Sequence, residues 1–202
     1  MKALSVCLPV LVAACGVAML GWETEGFRVV TTEAARRLAV ERAPAPVPDV
    51  RLVDQDGASF SLRDYSGKTV VVEFIVTRCV RVCGLLGDDF RNVLALAYRS
   101  NTKHIALLSI AFDLRRDDRE ARARYADRYG ATSPRWRIAS PTSIGDLERL
   151  QRSFGVVIVP DAAGGFIHGD DIYVVDARGR LTRILDADTP AERITTAAAI
   201  AT

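Results

Sequence analysis

The fold of this chain is decided by one stretch, residues 69–83, which reads Thr69-Val70-Val71-Val72-Glu73-Phe74-Ile75-Val76-Thr77-Arg78-Cys79-Val80-Arg81-Val82-Cys83. Residues 69–76 are mainly β-branched or aromatic, and such a run is typical of a central strand that is buried on both faces. From Leu85 to Ala97, apolar residues recur at steps of three and four, which predicts a helix. The sequence therefore predicts a buried strand that leads through two cysteines into a helix.

Further strands and helices are predicted on both sides of this unit. The strand patterns lie at residues 50–53, 59–62, 105–112, 136–139, 171–175 and 181–185, and the helical patterns lie at 117–129, at 146–154 and after a capping box at Thr189-Pro190-Ala191-Glu192. Strands that alternate with helices predict a mostly parallel sheet with helices on both faces. The last two strands form a hairpin, and an antiparallel hairpin that closes such a sheet is typical of the thioredoxin-like fold. We therefore expect an α/β domain over residues 49–202, with a thioredoxin-like central mixed sheet flanked by helices.

The first 22 residues are predicted to be a targeting or anchoring segment. Residues 3–22 contain no charge, and about 20 apolar residues suffice for a membrane-spanning helix. A cleaved signal peptide is one alternative, and Val12-Ala13-Ala14-Cys15 resembles a lipoprotein processing site at Cys15. Lys2 precedes the segment and acidic residues follow it, so we expect a cell-membrane anchor with the domain in the periplasm or otherwise outside the cytoplasm.

Residues 23–48 are predicted to form a juxtamembrane region. Thr31 or Thr32 would cap a helix that reaches Arg42. The proline-rich residues 43–48 are typical of a stiff, extended linker. The linker would separate the membrane segment from the folded domain.

The composition is that of an ordinary globular protein. Of the 202 residues, 49% are hydrophobic and 26% are charged, which is enough apolar surface to form a core. Lys and Arg number 27 and Asp and Glu number 25, so the net charge of +2 shows none of the basic excess of nucleic-acid-binding proteins. We expect no nucleic acid among the partners, and we expect a monomer.

Cys79 and Cys83 carry the chemistry predicted for this domain, because the other two cysteines fall in the N-terminal segment. If the helix has begun, positions four residues apart share one face, and the helix N-terminus would stabilise thiolates. Such a pair forms a disulfide or offers two sulfur ligands to one metal. A structural disulfide or two buried thiols remain the alternative, although a disulfide gains most from closing a long loop. Zinc normally takes four ligands, whereas copper(I) prefers thiolate and accepts fewer.

The two histidines are the candidates for a third ligand. His104 precedes the strand at 105–112, at the sheet edge away from the cysteines, and is expected to be a surface residue. His168 precedes the strand at 171–175, and in a thioredoxin-like topology the loop into that strand crosses beside the cysteines. On this reasoning alone, His168 is equally well explained as a metal ligand or as an exposed loop histidine.

Residues 50–185 resemble the Sco/SenC family of thioredoxin-like copper proteins. The matching segments are Leu52-Val53-Asp54-Gln55-Asp56-Gly57, Gly67-Lys68, Phe74-Ile75-Val76-Thr77-Arg78-Cys79 with Cys83, Phe112-Asp113-Leu114-Arg115-Arg116-Asp117, Phe154-Gly155-Val156, and His168 ahead of residues 173–176. In that family two cysteines and a histidine bind copper, so the resemblance implies a copper ion held by Cys79, Cys83 and His168. It also implies an assembly factor that delivers copper to, or prepares the thiols of, the binuclear copper site of cytochrome c oxidase subunit II or of another copper protein.

The sequence departs from the family's pattern around the site. Val80 and Gly84 stand where proline is common after a cysteine, and Leu114 stands where proline commonly follows the aspartate. These changes leave the three ligands intact and alter the expected stiffness of the loops. Asp113 is a supporting candidate that would orient a ligand or contact a partner, with the cap of the following turn as its alternative role.

Two other functions remain open from the sequence. An extracytoplasmic thiol–disulfide oxidoreductase would use Cys79 to attack a substrate disulfide and Cys83 to resolve the mixed disulfide, which would make both residues catalytic. A copper or redox sensor would use the same site and signal through a bound partner. A metallochaperone has no catalytic turnover, whereas an oxidoreductase does. The sequence therefore leaves it undecided whether the protein is an enzyme. An oxidoreductase needs no histidine, so the presence of His168 favours the metallochaperone.

Overall fold

The computed structural model describes residues 12, 15–19, 22, 31–78, 82–100, 102, 104–162 and 165–201, and for residues 82–85 it describes the backbone alone. The chain divides into two compact units, residues 1–42 and 43–202. In the first unit, helix α1 (Thr32–Arg42) begins after Thr31. The hydroxyl of Thr31 accepts a hydrogen bond from the N–H of Ala34 at 3.1 Å, which confirms the predicted threonine cap.

The predicted membrane segment, residues 1–22, falls largely outside the described residues. Among the residues that are described, no helix is long and apolar enough to cross a membrane.

The second unit contains, within its described residues, ten strands and four α-helices. The strands are β1 (Ala45–Pro46), β2 (Arg51–Val53), β3 (Ser59–Ser61), β4 (Thr69–Ile75), β5 (Ile105–Ala111), β6 (Trp136–Pro141), β7 (Ile158–Pro160), β8 (Phe166–His168), β9 (Ile172–Val175) and β10 (Arg180–Leu185). The helices are α2 (Val82–Arg99), α3 (Arg119–Tyr129), α4 (Ile144–Phe154) and α5 (Ala191–Ile200), and a short 3-10 helix spans Leu62–Tyr65.

Eight of these strands form one mixed sheet in the order β1-β10-β9-β4-β5-β6-β2-β3. The strands β4, β5 and β6 run parallel, and β4 lies opposite β5 residue by residue, from Thr69 beside Ile105 to Ile75 beside Ala111. All residues of β4 and β5 are buried, as predicted. The other five pairs are antiparallel, and two of them, β2–β3 and β9–β10, are hairpins joined by short turns. The parallel part is therefore smaller than the sequence predicted.

Helices cover both faces of the sheet. On one face, α2, α3 and α5 pack over a core cluster to which they contribute Phe90, Tyr125 and Ile194. On the other face, α4 packs through Phe154, whose ring lies edge-on to the rings of Phe74 at 5.5 Å and Tyr173 at 5.2 Å between centroids. The two layers of helices bury β4 and β5 on both sides.

The observed helix boundaries agree only in part with those predicted from the sequence. Helices α3 and α4 end at Gly130 and Gly155, which adopt left-handed backbones with φ of +74° and +68°, as expected of glycine caps. The predicted capping box at Thr189 is wrong, because α5 begins one residue later with Pro190 as its N-cap and no side-chain cap. The N–H of Thr189 instead donates to the carbonyl of Asp186 at 3.0 Å, in a turn that ends before the helix starts.

The predicted linker at 43–48 is extended, but part of it belongs to the sheet. Ala45 and Pro46 lie opposite Leu181 and Arg180 as the edge strand β1. The N–H of Val47 donates to the carbonyl of Gly179 at 2.9 Å. The compact second unit thus begins at residue 43, and residues 45–47 cannot serve as a free spacer.

A second, smaller sheet was not predicted. Strands β7 and β8 form an antiparallel hairpin in which Ile158 lies opposite His168 and Val159 lies opposite Ile167. His168 was predicted to lie in a loop, but it is the last residue of β8. Val159 and Ile167 are exposed on this hairpin, so its strands lack the buried alternation by which strands are recognised.

Candidate metal centre

Helix α2 places Cys83 in its first turn. Cys83 is the second residue of the helix, where free backbone N–H groups and the helix dipole favour a negative charge. Cys79, Val80 and Arg81 lie outside the described residues. The predicted placement of both cysteines on one helix face would need a helix that includes Cys79, and the described helix begins at Val82.

The chain that leads to Cys79 is held by Asp117. This side chain is 1% exposed, and its carboxylate accepts hydrogen bonds from the N–H of Thr77 at 3.1 Å, the hydroxyl of Thr77 at 2.6 Å and the N–H of Asp113 at 3.0 Å. Burial raises the pKa of Asp117 above its ordinary value, while these hydrogen bonds stabilise the charged form. The segment after β4 is thereby tied to the segment after β5, two residues before Cys79.

Asp113 binds the residue that directly precedes Cys79. Its carboxylate Oδ2 lies 2.8 Å from Nη2 of Arg78 in an ion pair, and the Asp113 side chain is only 7% exposed. The turn after Asp113 uses its backbone carbonyl, which accepts hydrogen bonds from the N–H groups of Arg116 and Asp117 at 2.9 and 2.8 Å. The Asp113 side chain therefore positions Arg78. The turn is capped by the main-chain carbonyl of Asp113 and not by its side chain, which was the predicted alternative role.

His168 is half-buried and is held on two sides. Its ring lies edge-on to the ring of Phe112, with 4.9 Å between centroids. Its Nδ1 is 2.8 Å from the carbonyl oxygen of Gly169. A carbonyl can only accept, so in the neutral imidazole Nδ1 carries the proton and Nε2 keeps the lone pair that a metal would bind.

The end of β5 joins the two parts of the candidate site. Phe112 contacts His168, and the next residue, Asp113, binds Arg78. The segment that leads to Cys79 and the hairpin that carries His168 therefore meet at the carboxyl end of the parallel strands, where ligands of α/β sheets usually bind.

Three residues of this arrangement were missed as functional from the sequence: Thr77, Phe112 and Asp117. Asp117 was predicted to start a charged helix, but α3 begins at Arg119 after the N-cap Asp118. A polar residue just after a buried parallel strand was the available signal, because such positions gather at the functional edge of the sheet.

His104 lies at the opposite end of the sheet, as predicted. Its carbonyl accepts the N–H of Thr69, the first residue of β4, at 2.9 Å. The prediction of a plain surface histidine is wrong, because His104 is half-buried and its Nε2 is buried without a hydrogen-bond partner in the described part of the chain. Within that part, no group of three or more His, Cys, Asp or Glu side chains is placed to hold a metal. Cys79 and the side chain of Cys83 lie outside it.

The family model described as SCO1/SenC matches residues 41–201. The chain belongs to the SCO1/SenC family. No curated protein matches the chain.

Solved structures of SCO1/SenC and Sco proteins share the fold. A SCO1/SenC family lipoprotein from Bacillus anthracis str. Ames has a TM-score of 0.72 at 21% identity, over 79% of this chain and 98% of that one. ScoI of Bradyrhizobium japonicum with copper bound has a TM-score of 0.64 at 19% identity, over 78% and 100%. BsSco, a Sco family member of the cytochrome c oxidase assembly proteins in which a disulfide switch was identified, has a TM-score of 0.69 at 22% identity, over 78% and 94%. The predicted thioredoxin-like α/β fold is confirmed.

Proposed function

We propose that this SCO1/SenC protein binds a copper ion through Cys79, Cys83 and His168. We further propose that it is an assembly factor that delivers copper to, or prepares the thiols of, the binuclear copper site of cytochrome c oxidase subunit II. The observation that carries the proposal is the contact of Phe112 with His168 and of Asp113 with Arg78, because it brings the histidine hairpin to the segment that leads to Cys79. Copper in related structures supports the same conclusion.

The donor set fits copper. Thiolate sulfur is the preferred ligand of copper(I), and imidazole nitrogen suits copper(II), so two cysteines and one histidine can hold both oxidation states. The hydrogen bond from Nδ1 of His168 to the Gly169 carbonyl orients the ring and leaves Nε2 for the metal. Cys83 at the start of α2 is placed where the helix favours thiolate.

Copper titration of the reduced full-length protein tests this ligand set. His168→Ala should weaken copper binding and should change the copper(II) absorption spectrum more than the copper(I) affinity. His104→Ala is the matched control, because His104 lies at the other end of β5 beside Thr69 and should leave both readouts unchanged. Cys79→Ser and Cys83→Ser should each abolish tight binding, whereas Cys15→Ser should not.

The ligand assignment is contradicted if His168→Ala matches the parent in both affinity and spectrum. It is also contradicted if Cys15→Ser lowers the affinity as much as Cys83→Ser does.

A thiol–disulfide oxidoreductase is the second candidate, favoured by the place of Cys83 in the first turn of α2. The Cys79 thiolate would attack a substrate disulfide and release one substrate thiolate. Cys83 would then attack the mixed disulfide, which releases the second substrate thiolate and leaves a protein disulfide. His168 takes no part in this exchange. If the protein is a thiol–disulfide oxidoreductase, His168→Ala should therefore keep the disulfide-reducing activity. If the protein is a copper-binding assembly factor, His168→Ala should lose the copper-dependent activity.

We also propose that the N-terminal segment anchors the protein to the cell membrane, with the domain outside the cytoplasm. The uncharged run at 3–22 and the charges that flank it support this location. Protease added to spheroplasts should digest the domain, and recovery of the full chain in the soluble cytoplasmic fraction would contradict the anchor. Loss of membrane retention in Cys15→Ala would indicate lipidation at Cys15.

A further inference from the structure

Phe112 lies between the end of β5 and the hairpin of β7 and β8. It directly follows the last residue of β5, and it is only 3% exposed. Its N–H donates to the carbonyl of Ile75, the last residue of β4, at 3.1 Å, and its carbonyl accepts the N–H of Leu114 at 3.0 Å. The backbone of Phe112 is therefore fixed by hydrogen bonds on both of its sides.

The ring of Phe112 contacts two residues of the hairpin. Phe166 and His168 stand two residues apart on β8, so their side chains lie on the same face of that strand. Both rings are edge-on to Phe112, with 5.3 Å and 4.9 Å between centroids and interplanar angles of 83° and 74°. Edge-on rings at such distances attract each other. One buried ring beside the main sheet thus supports the whole face of β8 that carries the histidine.

The hydrogen bond from His168 to Gly169 does not fix the imidazole by itself. It joins two neighbouring residues and is exposed to solvent, so water competes for both atoms. Ile167, the residue before His168, is 68% exposed on the opposite face of the strand and gives the ring no support. The contact with buried Phe112 therefore supplies packing that selects the ring orientation in which Nδ1 faces the Gly169 carbonyl.

We propose that Phe112 is a positioning residue that holds the His168 ring in its metal-binding orientation before copper arrives, and that it strengthens the binding of copper(II) more than that of copper(I). The inference rests on the proposed copper site. A ligand that is already oriented loses less conformational freedom on binding, so the contact that orients it raises the affinity. Imidazole suits copper(II), whereas thiolate is the preferred ligand of copper(I), so the effect falls mainly on copper(II).

The orientation of His168 is measured first in the reduced, copper-free protein. Long-range proton–nitrogen NMR at about pH 8, where imidazole is neutral, distinguishes a proton on Nδ1 from a proton on Nε2. The chain has only two histidines, so the His168 signal is identified by its loss in His168→Ala, and His104 is an internal control. The parent should carry the proton on Nδ1. Phe112→Leu should give a mixture of both tautomers, because leucine keeps the site apolar but offers no ring, and an unchanged tautomer ratio would overturn the proposal.

Copper titration then measures the consequence for the metal. One edge-on aromatic pair is worth about 2- to 10-fold in an equilibrium constant, so Phe112→Leu should weaken copper(II) binding by about that factor. The copper(I) affinity should change less. Phe60→Leu is the matched control, because Phe60 is also a buried ring that lies edge-on to another, Tyr65 at 5.9 Å, but on the edge strand β3. It should leave both affinities unchanged, and equal losses in the two variants would refute the role of Phe112.

A double-mutant cycle determines whether Phe112 acts through the histidine. In a His168→Ala background, Phe112→Leu should have no further effect on copper(II) binding. The same loss with and without the imidazole would mean that Phe112 acts on another part of the site, and the proposal would then be wrong.

Phe166→Leu approaches the same contact from the hairpin and serves if Phe112→Leu does not fold. Phe166 is half-buried, so its replacement disturbs the core less than that of Phe112. It removes one of the two rings that pack β8 on Phe112 and should shift the His168 tautomer ratio in the same direction. A parent-like ratio in this variant would contradict the proposed support of β8 by Phe112.

The outcomes separate this inference from the proposed function. If His168→Ala weakens copper binding but Phe112→Leu changes neither the tautomer ratio nor the copper(II) affinity, the role of Phe112 is refuted and the ligand set stands. If Phe112→Leu changes the tautomer ratio but His168→Ala leaves copper binding unchanged, the proposed ligand set fails and the orienting contact of Phe112 stands.

Discussion

The free energy of unfolding should depend on pH through Glu73, and Glu73→Gln should remove that dependence. Glutamate in an unfolded chain ionises at its ordinary pKa of 4.5, whereas burial in the fold raises the pKa of Glu73 to about 8. Below pH 4.5 the carboxyl group of Glu73 is protonated in both the folded and the unfolded state, so it does not change the free energy of unfolding. Between these values the unfolded chain releases the proton and the folded protein keeps it, so stability falls as the pH rises.

The size of the effect follows from the two pKa values. At pH 7 the shift acts over about 2.5 pH units, and each unit corresponds to about 1.4 kcal/mol, so the loss is about 3 kcal/mol. Glutamine cannot ionise, so the stability of the parent minus that of Glu73→Gln should fall by about 3 kcal/mol between about pH 4.5 and pH 7 and should level off above about pH 8. This change is a large share of the total stability of an ordinary domain.

Urea unfolding of the reduced protein at a series of pH values gives both curves. The urea dependence of the free energy should be the same for parent and variant, since both unfold the same surface. Parallel stability curves across this pH range would show that Glu73 has an ordinary pKa in the fold, and the reasoning from its burial would then be refuted.

Two further substitutions test the packing around the site. Gly87→Ala in α2 would place a Cβ 2.8 Å from the ring carbons of Tyr129, so it should lower the free energy of unfolding by about 1–3 kcal/mol in urea unfolding. Gly145→Ala in α4 is the control, because its Cβ would meet only the Ser143 hydroxyl oxygen at 4.0 Å. It should raise the free energy of unfolding by up to about 1 kcal/mol. Equal effects of the two changes would contradict the close approach of α2 and α3. Thr77→Val removes the hydroxyl that donates to Asp117 at 2.6 Å, so it should cost about 1–3 kcal/mol and weaken copper binding, whereas Thr196→Val on the exposed side of α5 should leave copper binding unchanged. Unaltered copper affinity in Thr77→Val would show that the Asp117 contact does not position Cys79.

The sequence predicted the centre of the fold well, because β4 and β5 are buried on both faces. A strand covered by helices on two sides needs apolar residues at almost every position, and this leaves an unmistakable run at 69–76 and at 105–112. The hairpin of β7 and β8 gave no such signal, since its two strands are short and exposed in part. Hydrophobic periodicity therefore could not predict that His168 lies in a strand.

The contacts of the candidate site were harder to predict than its residue types. Cys83, His168 and Asp113 stood out as chemically capable residues, but their partners depend on strand register. Asp117 reaches Thr77 across 40 residues of sequence, and Ser109 reaches Glu73 across 36. Nothing local in the sequence specifies which residue of β5 lies beside which residue of β4, and that register decides both contacts.

The edge strand β1 has a consequence for how the protein behaves at high concentration. Backbone N–H groups of a strand point alternately to its two sides, and the N–H of Val47 donates to the carbonyl of Gly179, the residue before β10. The positions whose N–H groups would point outward are 44, 46 and 48, and all three are proline, which has no N–H to donate. The guanidinium of Arg180 binds the carbonyl of Pro44 at the same edge. An exposed edge is the usual template on which a second chain adds a strand and starts an aggregate, and here that edge offers an incoming strand no donors.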